Sequence, residues 1–400
     1  MFEMKKLKYI VNILDEYRKP VAADKRNQNA EVLYPYYGAS GKIDLIDGYT
    51  IDNHVMLIGE DGANLRMRNL PLMYEVNGKA WINNHAHILK PKEGYDFDFL
   101  FLALESLDIN LYITGSAQPK LSQENLKEIM VPVTSYNKQK KISKYLKDRC
   151  IELDILTSDI QKQIDTLEQY KKSVITEAVT KGLNPDAEMK DSGIDFIGKM
   201  PLNFKIVRVK NIGSARNGLT YTPFDLCDEQ EGILVLRSSN VQNGQIVFKD
   251  NVYVKCNVPP KLIVQQGDIL ICSRNGSKEL IGKNAIIDEN INASFGAFMM
   301  IYRCNVPKYM YYILNSEIFK YYLGSFFTST INQLTNYNFG NMKIPYCFDE
   351  VIQKQITDYL DKKCSEIDTI ISDKKKQLEV ITEYKKSLIY EYVTGKKEVM

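Results

Sequence analysis

The chain has 400 residues, of which 52 are Lys or Arg and 50 are Asp or Glu, so its formal net charge is only +2. This length predicts two or more domains, and the balanced charge neither requires nor excludes a polyanionic partner. The sequence contains no run of 18 apolar residues that could cross a membrane. Its seven cysteines are widely spaced, which predicts reduced thiols and a cytoplasmic location.

The globular parts of the chain are predicted to combine strands and helices. Short segments that are rich in β-branched residues and bounded by Gly, Asn or Asp are typical of strands, as in HVMLIG, GILVLRS, GQIVFKDNVYVK, GDILICS and AFMMIYRC. Apolar residues at helical spacing predict helices over residues 96–108 and 307–327. Because the aromatic residues of these two segments recur at helical spacing, we expect most of them to lie in the core.

One segment of the chain occurs twice. Shifting residues 139–182 by 214 positions places them on residues 353–396, and about 20 of the 44 positions are then identical. A weaker match places HVMLIGEDGA (54–63) over DILICSRNGS (268–277), with Glu60 opposite Arg274. An internal match of this extent indicates that a unit of about half the chain has been duplicated.

Each copy of the repeated segment predicts a long helix. Apolar residues recur at steps of three, four or seven, and neither copy contains proline. This heptad pattern is typical of helices that pair with each other, and about 43 residues would extend about 64 Å. The predicted helix seam consists of Leu153, Leu156, Leu167, Ile367, Ile370 and Ile381. The alternative is that each helix packs along its own globular domain.

These patterns predict an α+β chain with two mixed α/β domains, each followed by a long helix. The predicted divisions are a first domain at 1–138, a helix at 139–182, a turn-rich linker at 183–203, a second domain at 204–352 and a second helix at 353–396. Two similar frameworks with divergent surfaces are what a molecule needs if its halves read different things. The simplest arrangement packs the two helices against each other.

Several phrases of the sequence resemble the specificity subunit of type I restriction-modification systems. They include YPYYGASGKID (34–44), GSAQPKLSQENLKEIMVPV (115–133), EQYKKSVITEAVTKGL (168–183) and IGKMPLNFKIVRVKNI (197–212). The resemblance covers nearly the whole chain. It implies that each domain is a target recognition domain that reads one half of a split DNA sequence. It also implies that the two helices pack as an antiparallel coiled coil with pseudo-twofold symmetry and act as a spacer. It also implies that two modification subunits, which methylate adenine, dock on the chain and that restriction subunits join them.

The sequence does not support the catalytic motifs of a methyltransferase, a nucleotide-binding enzyme or a nuclease. An adenine methyltransferase needs an N-P-P-Y or D-P-P-Y motif, which NVPPK (257–261) only superficially resembles. GSKELIGKN (276–284) has the wrong spacing for a phosphate-binding loop. Glu60 and Asp61 could be imagined as nuclease ligands, but a turn is the simpler interpretation. We therefore predict a non-catalytic chain without a cofactor or a metal.

The three histidines, His54, His85 and His87, all fall in the first domain. His85 and His87 would share one face of a strand, so a three-histidine zinc site is one interpretation. A polar strand face with hydrogen-bonded imidazoles is another. A third is a strand that faces DNA, because Asn83, Asn84 and histidines can contact base edges.

Candidate DNA-binding residues are polar, lie in glycine-rich loops and differ between the halves. Arg and Lys read guanine, Asn and Gln read adenine, and small polar side chains contact phosphates. The first half provides Tyr36, Tyr37, Ser40, Lys42, Asn64, Arg66, Arg68, Asn84, His85, Ser116, Gln118 and Lys120. The second half provides Arg216, Asn217, Thr220, Tyr221, Arg237, Ser238, Asn240, Arg274, Asn275, Lys278, Thr328, Ser329, Asn332 and Gln333.

The predicted function is DNA sequence recognition within a type I restriction-modification complex. The expected partners are double-stranded DNA, two modification (methyltransferase) subunits and restriction (translocase and nuclease) subunits, with no membrane. The alternative is a coiled-coil adaptor that joins proteins without contacting DNA. Polar and divergent loops in both domains favour the DNA-reading interpretation.

Overall fold

The computed structural model of the chain describes residues 2–26, 30–326 and 332–399. The chain is divided into two units, of which the first comprises Met1–Gln161 and Lys375–Met400 and the second comprises Lys162–Lys374. Both units contain sheets and helices, which confirms the predicted mixed fold. Because each long helix begins in one unit and ends in the other, each unit contains a part of both helices.

The first unit is built mainly from the first third of the chain. Its elements are β1 (Glu3–Lys6), α1 (Leu7–Ile10), β2 (Val11–Ile13), β3 (Tyr34–Gly38), β4 (Gly41–Ile46), β5 (Ile51–Gly59), α2 (Asn64–Met67), β6 (Met73–Ile82), β7 (Ala86–Pro91), α3 (Phe97–Ser106), α4 (Gln123–Glu128), β8 (Met130–Val133) and the start of α5 (Tyr136–Lys181). A mixed sheet has the order β2-β7-β5-β6-β3-β4, and β1 pairs with β8 in a separate ladder.

The central strand β5 is buried on both faces of this sheet. Val55 and Leu57 belong to one apolar cluster, whereas Met56 and Ile58 belong to another, which also contains α3. This alternation follows from the two-residue period of a strand. The chain turns into α3 at Asp96, whose carboxylate accepts a hydrogen bond from the Phe99 N–H at 3.0 Å and caps the helix.

The second unit contains a larger number of short strands. Its elements after α5 are β9 (Met189–Asp191), β10 (Lys199–Pro201), β11 (Phe204–Arg208), β12 (Gly213–Asn217), β13 (Leu226–Cys227), β14 (Ile233–Leu236), β15 (Val241–Gln242), β16 (Gln245–Ile246), β17 (Tyr253–Val254), β18 (Ile269–Cys272), β19 (Asn284–Ile286), β20 (Ala293–Phe295), β21 (Met299–Cys304), α6 (Pro307–Ile313), α7 (Glu317–Phe326), α8 (Asn336–Asn341), β22 (Lys343–Cys347) and the start of α9 (Glu350–Val393). The two larger sheets have the orders β12-β21-β18-β19 and β13-β17-β14-β20.

Strand β18 separates two apolar clusters as β5 does in the first unit. Ile269 and Ile271 belong to one cluster, and Leu270 and Cys272 belong to the other. The first of these clusters also contains buried aromatic residues of α6 and α7, as their helical spacing predicts. They are Tyr309, Tyr312 and Phe319.

The duplication extends through the globular parts of both units. The ladder of β1 with β8 corresponds to that of β11 with β22. Met56 pairs with Leu89 between β5 and β7, and Ile269 pairs with Tyr302 between β18 and β21. Both residues of the second pair follow their counterparts by 213 positions, because 56 + 213 = 269 and 89 + 213 = 302. The two globular parts therefore share strand register as well as element order.

The long helices pair in antiparallel fashion within each unit. In the first unit, Lys385 Nζ donates a hydrogen bond to Asp154 at 2.6 Å, and the Tyr145 and Tyr392 hydroxyls lie 3.4 Å apart. In the second unit, Lys171 Nζ donates to Asp368 at 2.6 Å. The two ion pairs are equivalent by the 214-residue shift, which confirms the predicted antiparallel pairing of the helices.

Two residues of the predicted helix seam are wrong. Leu156 and Ile370, which are equivalent positions, are each 46% exposed. The adjacent residues take the inward positions, since Thr157 is half-buried and Ile371 is buried. The inward stripe follows a seven-residue spacing through 157, 164 and 171, so a leucine one position before it turns outward. The other predicted seam residues are buried or half-buried, namely Leu153, Leu167, Ile367 and Ile381.

Each long helix is followed by a glycine in the left-handed conformation, directly after α5 and two residues after α9. Each glycine lies against a phenylalanine that opens a globular part. Gly182 has a φ of 71° and faces Phe204 in the second unit, and Gly395 has a φ of 77° and faces Phe2 in the first. A methyl group added to Gly395 would lie 2.3 Å from the Phe2 ring, but the corresponding distance from Gly182 to Phe204 is 3.8 Å. The C-terminal helix end therefore has less space.

This difference predicts unequal costs for the same substitution. Gly182→Ala should lower the free energy of unfolding by about 1–2 kcal/mol, which is the cost of a left-handed non-glycine residue. Gly395→Ala should cost about 1 kcal/mol more, because the Phe2 ring must also shift. Urea unfolding, with hydrogen exchange to separate the two units, measures both costs. A Phe2→Ala background should remove the additional cost, and equal costs in the native background would contradict the packing described.

Candidate nucleic-acid interface

The first unit brings charged side chains together where β5 ends. The group that we call the first tip consists of Glu60, Asp61, His85 and Lys120. Its backbone is fixed by two hydrogen bonds, in which the Glu60 N–H donates to the His85 carbonyl at 2.8 Å and the Leu121 N–H donates to the Glu60 carbonyl at 2.7 Å. Strand β5, the loop before β7 and the segment before α4 therefore meet at one place.

The side chains of the first tip contact one another near the surface. His85 Nδ1 lies 2.7 Å from an Asp61 carboxylate oxygen, and these side chains are 50% and 38% exposed. Lys120 Nζ lies 3.3 Å from Glu60, which also accepts a hydrogen bond from Arg18. Burial alone would raise the pKa of Glu60, but the hydrogen bond from Arg18 and nearby positive charge outweigh it, so the pKa is lowered.

The three histidines of the first unit contact three different carboxylates. His54 lies 2.8 Å from Glu75 and stacks on Phe97, whereas His85 pairs with Asp61. The fully buried His87 lies 2.6 Å from Asp15 and 2.8 Å from the Leu121 carbonyl. Within residues 2–26, 30–326 and 332–399, no group of three His, Cys, Asp or Glu side chains could hold a metal ion. Hydrogen-bonded imidazoles therefore describe these histidines better than the zinc interpretation does.

The second unit has a matching group where β18 ends. We call Ser273, Arg274, Phe298 and Gln333 the second tip. The Ser273 N–H donates to the Phe298 carbonyl at 2.9 Å, and the Leu334 N–H donates to the Ser273 carbonyl at 2.7 Å. The backbones of Asp61 and Lys120 form an isolated antiparallel β-bridge in the first tip. The backbones of Arg274 and Gln333 form the same bridge in the second tip. Each residue of the second tip follows its counterpart by 213 positions.

This equivalence corrects the alignment of the two loops by one residue. The sequence match placed Glu60 opposite Arg274, whereas the backbone hydrogen bonds place Glu60 opposite Ser273 and Asp61 opposite Arg274. The prediction that opposite charges occupy equivalent tips still applies, now to Asp61 and Arg274. The Arg274 guanidinium lies over the Phe298 ring, 5.2 Å from its centroid.

Many of the predicted DNA-binding residues lie at the surface. The exposed members in the first unit are Ser40, Lys42, Arg66, Asn84, His85, Ser116, Gln118 and Lys120. Those in the second unit are Asn217, Thr220, Arg274 and Lys278. Half-buried members of the second unit are Arg216, Tyr221, Arg237, Ser238, Asn275, Asn332 and Gln333. Of these, Asn275 lies beside the second tip, and its amide donates to the Ser238 hydroxyl at 3.4 Å. Thr328 and Ser329 lie outside the described residues.

Several other predicted residues serve the fold, and the structure excludes two of them from the surface. Tyr36 is 1% exposed and Asn240 is fully buried, where the Asn240 side chain bonds the surrounding loop backbone. The half-buried Asn64 donates to the Leu70 and Pro71 carbonyls, and Arg68 donates to the Glu105 and Leu107 carbonyls. Tyr37 is half-buried, and burial raises the pKa of its hydroxyl. Polar loop residues can bond their own backbone, which removes them from contact with a ligand.

Phe298 is the residue that sequence reasoning missed. Phe298 is 59% exposed at the second tip, although its segment AFMMIYRC was predicted only as a strand and the residue was not among the candidates. Its segment reads as a buried strand, and only the residue immediately before β21 turns outward. Phe298 could have been found from its equivalence to the candidate His85. That equivalence becomes visible only when the two halves are aligned with a shift of 213 residues.

Comparisons with known proteins agree on one family. A family model for the type I restriction modification DNA specificity domain matches residues 1–166 and 201–380. The type I restriction enzyme MjaVIII specificity subunit of Methanocaldococcus jannaschii is 27% identical over 310 residues, which cover 75% of this chain and 70% of that one. The EcoKI specificity subunit of Escherichia coli is 26% identical over 211 residues, which cover 50% of this chain and 44% of that one.

A solved structure shares the fold over nearly the full length. It comes from a study of complex assembly and conformational transition of the type I R-M system, with a TM-score of 0.71 and 13% identity over 99% of this chain and 98% of that one. In the described part of this chain, no helix is long and apolar enough to cross a membrane. The chain belongs to the family of type I restriction-modification specificity subunits, whose role is to recognise a DNA target.

Proposed function

We propose that the two units read different halves of one split DNA target and that methylation and cleavage are carried out by partner subunits. The observation that carries this proposal is the pair of tips. Their backbone hydrogen bonds are equivalent to within about 0.1 Å, but every side chain differs between them. One framework with two sets of reading groups is suited to two different base sequences, because base edges are distinguished by donors, acceptors and apolar contacts.

We further propose that the outer surface of the paired helices is where two copies of a modification subunit dock. Leu156 and Ile370 are equivalent and are each 46% exposed, and the equivalent Tyr170 and Tyr384 are 54% and 53% exposed. The same apolar groups therefore appear once on each helix. Two identical partners could each use one of these surfaces, and exposed apolar groups of this kind mark protein interaction sites. Restriction subunits would then join this assembly.

The helices would also act as the spacer between the two readers. Their pairing is fixed by the same Lys–Asp ion pair in each unit, Lys385 with Asp154 and Lys171 with Asp368, together with the buried stripe. DNA rises about 3.4 Å for each base pair, so a fixed separation of the readers corresponds to a fixed number of unread base pairs. The length of the helix pair would set that number.

The first prediction from this proposed function concerns which unit reads which half of the target. Replacing residues 204–352 with the corresponding part of a related chain should change one half of the methylated sequence and leave the other half unchanged. Sequencing of the methylated bases in a host that expresses the chain with its modification subunit measures this. The reciprocal exchange of residues 1–138 is the matched control and should change the other half. If either exchange alters both halves, the units do not read independently.

A separate experiment tests whether the chain recognises DNA at all. A gel shift of the complete complex with DNA, in the presence of competitor DNA of random sequence, distinguishes a DNA reader from an adaptor that joins proteins only. Binding that the random competitor cannot remove is expected. An assembled complex without any DNA binding would support the adaptor.

The second prediction concerns docking. Because Leu156 and Ile370 are exposed, Leu156→Asp with Ile370→Asp should leave folding of the chain unchanged and weaken binding of the modification subunit at least tenfold. The matched control is Val380→Asp. Val380 lies on α9, as Ile370 does, and is 67% exposed, but its counterpart on α5 is the polar Thr166, so the apolar group is not repeated on both helices. Thermal unfolding and titration with the purified modification subunit measure the two effects. Equal weakening by the control would place the docking surface elsewhere.

The third prediction concerns the spacer. Seven residues inserted after Ser158 in α5 and after its equivalent Ser372 in α9 preserve the heptad pairing and add about 10.5 Å of helix. The unread gap in the methylated sequence should lengthen by about three base pairs, with both half-sites unchanged. An insertion in α5 alone is the control and should disturb the pairing and reduce methylation. An active double-insertion variant with the original gap would show that the helices do not set the distance.

A further inference from the structure

The two tips share one arrangement that goes beyond their general position. Each tip presents one exposed ring beside one charged side chain, His85 beside Asp61 in the first unit and Phe298 beside Arg274 in the second. The rings are equivalent residues, because 85 + 213 = 298, and the charged residues are equivalent, because 61 + 213 = 274. In both tips, the backbone carbonyl of the ring-bearing residue accepts a hydrogen bond from the N–H of the residue that follows the central strand.

Hydrogen bonds hold the main chain of Phe298 in place before any ligand arrives. The Phe298 carbonyl accepts hydrogen bonds from the Ser273 N–H at 2.9 Å, the Arg274 N–H at 3.1 Å and the Ser273 hydroxyl at 3.0 Å. The ring nevertheless remains 59% exposed, which is unfavourable in water. Contact with the Arg274 guanidinium compensates only in part, since a cation–π contact at an exposed site is weak. An exposed aromatic ring on a fixed main chain is therefore suited to contact with a ligand.

The chemistry of the two pairs is opposite. A carboxylate can only accept hydrogen bonds, so Asp61 holds the proton of His85 on Nδ1 and leaves Nε2 as an acceptor in the neutral ring. The first pair therefore presents acceptors. Arg274 has donors and no acceptor, and Phe298 adds an apolar edge. The second pair therefore presents donors beside an apolar surface.

We propose that these ring-and-charge pairs determine the base preference of each unit, an inference that rests on the proposed function. Acceptors complement the exocyclic amino group of cytosine or adenine, so the pair of Asp61 and His85 would select a base of this kind. A guanidinium complements O6 and N7 of guanine, and a phenyl ring contacts the thymine methyl group. The pair of Arg274 and Phe298 would thus select guanine next to thymine.

The test uses the complete complex of this chain with its modification subunits. A library of random DNA sequence is methylated, and the bases required in each half-site are read by sequencing. Arg274→Ala should reduce discrimination at one base position of the second half-site by about 5- to 150-fold. Phe298→Ala should relax the same or the neighbouring position. Neither variant should alter the first half-site, which reports in the same reaction that the chain is folded.

Transfer of the second pair of side chains into the first unit, which we call the graft, tests for a gain of base preference and not only for a loss. Asp61→Arg combined with His85→Phe installs the second pair in the first unit and should shift one position of the first half-site towards guanine. Phe224→Ala and Leu111→Ala are the matched controls, because these side chains are 98% and 96% exposed in the second and first unit and lie outside the tips. The controls should leave both half-sites unchanged.

The outcomes separate the two claims. A native complex that methylates without any sequence requirement would overturn the proposed function and this inference with it. A native complex with a defined target whose base requirements survive Arg274→Ala, Phe298→Ala and the graft would overturn the inference alone. Relaxation that the control substitutions reproduce would also overturn it, since any exposed side chain would then have the same effect.

Discussion

The antiparallel pairing of two long helices is the constraint on which the rest of the structure depends. Each globular part includes in its core the end of the helix that belongs to the other half of the chain. Leu388, Ile389 and Val393 complete the core of the first unit, and Val174, Ile175 and Val179 complete that of the second. Surface ion pairs contribute little free energy, so the repeated Lys–Asp pairs fix register while the buried apolar groups supply stability. Duplication gives both pairs at once, because each uses the same two positions of the repeat.

Against this common framework, the tips have diverged in side chains alone. The strand registers and the hydrogen bonds that form the tips are the same in both units, whereas every side chain differs and the charge is reversed between Asp61 and Arg274. Backbone geometry positions a reading group, and the side chain decides which base it fits. This separation is what the proposed function requires, namely one fold and one mode of partner docking with two halves that read different targets.

Much of the architecture could be predicted from sequence because it rests on periodicity. The repeat and the two long helices follow from heptad spacing and from the matched residues, and the family resemblance implied their antiparallel pairing. Single-residue choices could not be predicted in the same way. Leu156 is more apolar than Thr157, yet the 157 position faces inward because the stripe is set by the whole helix. Asn240 and Tyr36 look like loop and surface residues but are buried. Phe298 looks like core and is exposed, because burial at a strand end depends on tertiary neighbours.

The most direct test of this account is the sequence that the complete complex methylates. Two units with equivalent backbones and different tips predict a target of two short blocks, separated by a gap of fixed length. The two blocks should differ, because Asp61 with His85 and Arg274 with Phe298 complement different base edges. A single uninterrupted block would contradict two separate readers, and two identical blocks in inverted orientation would contradict the divergence of the tips.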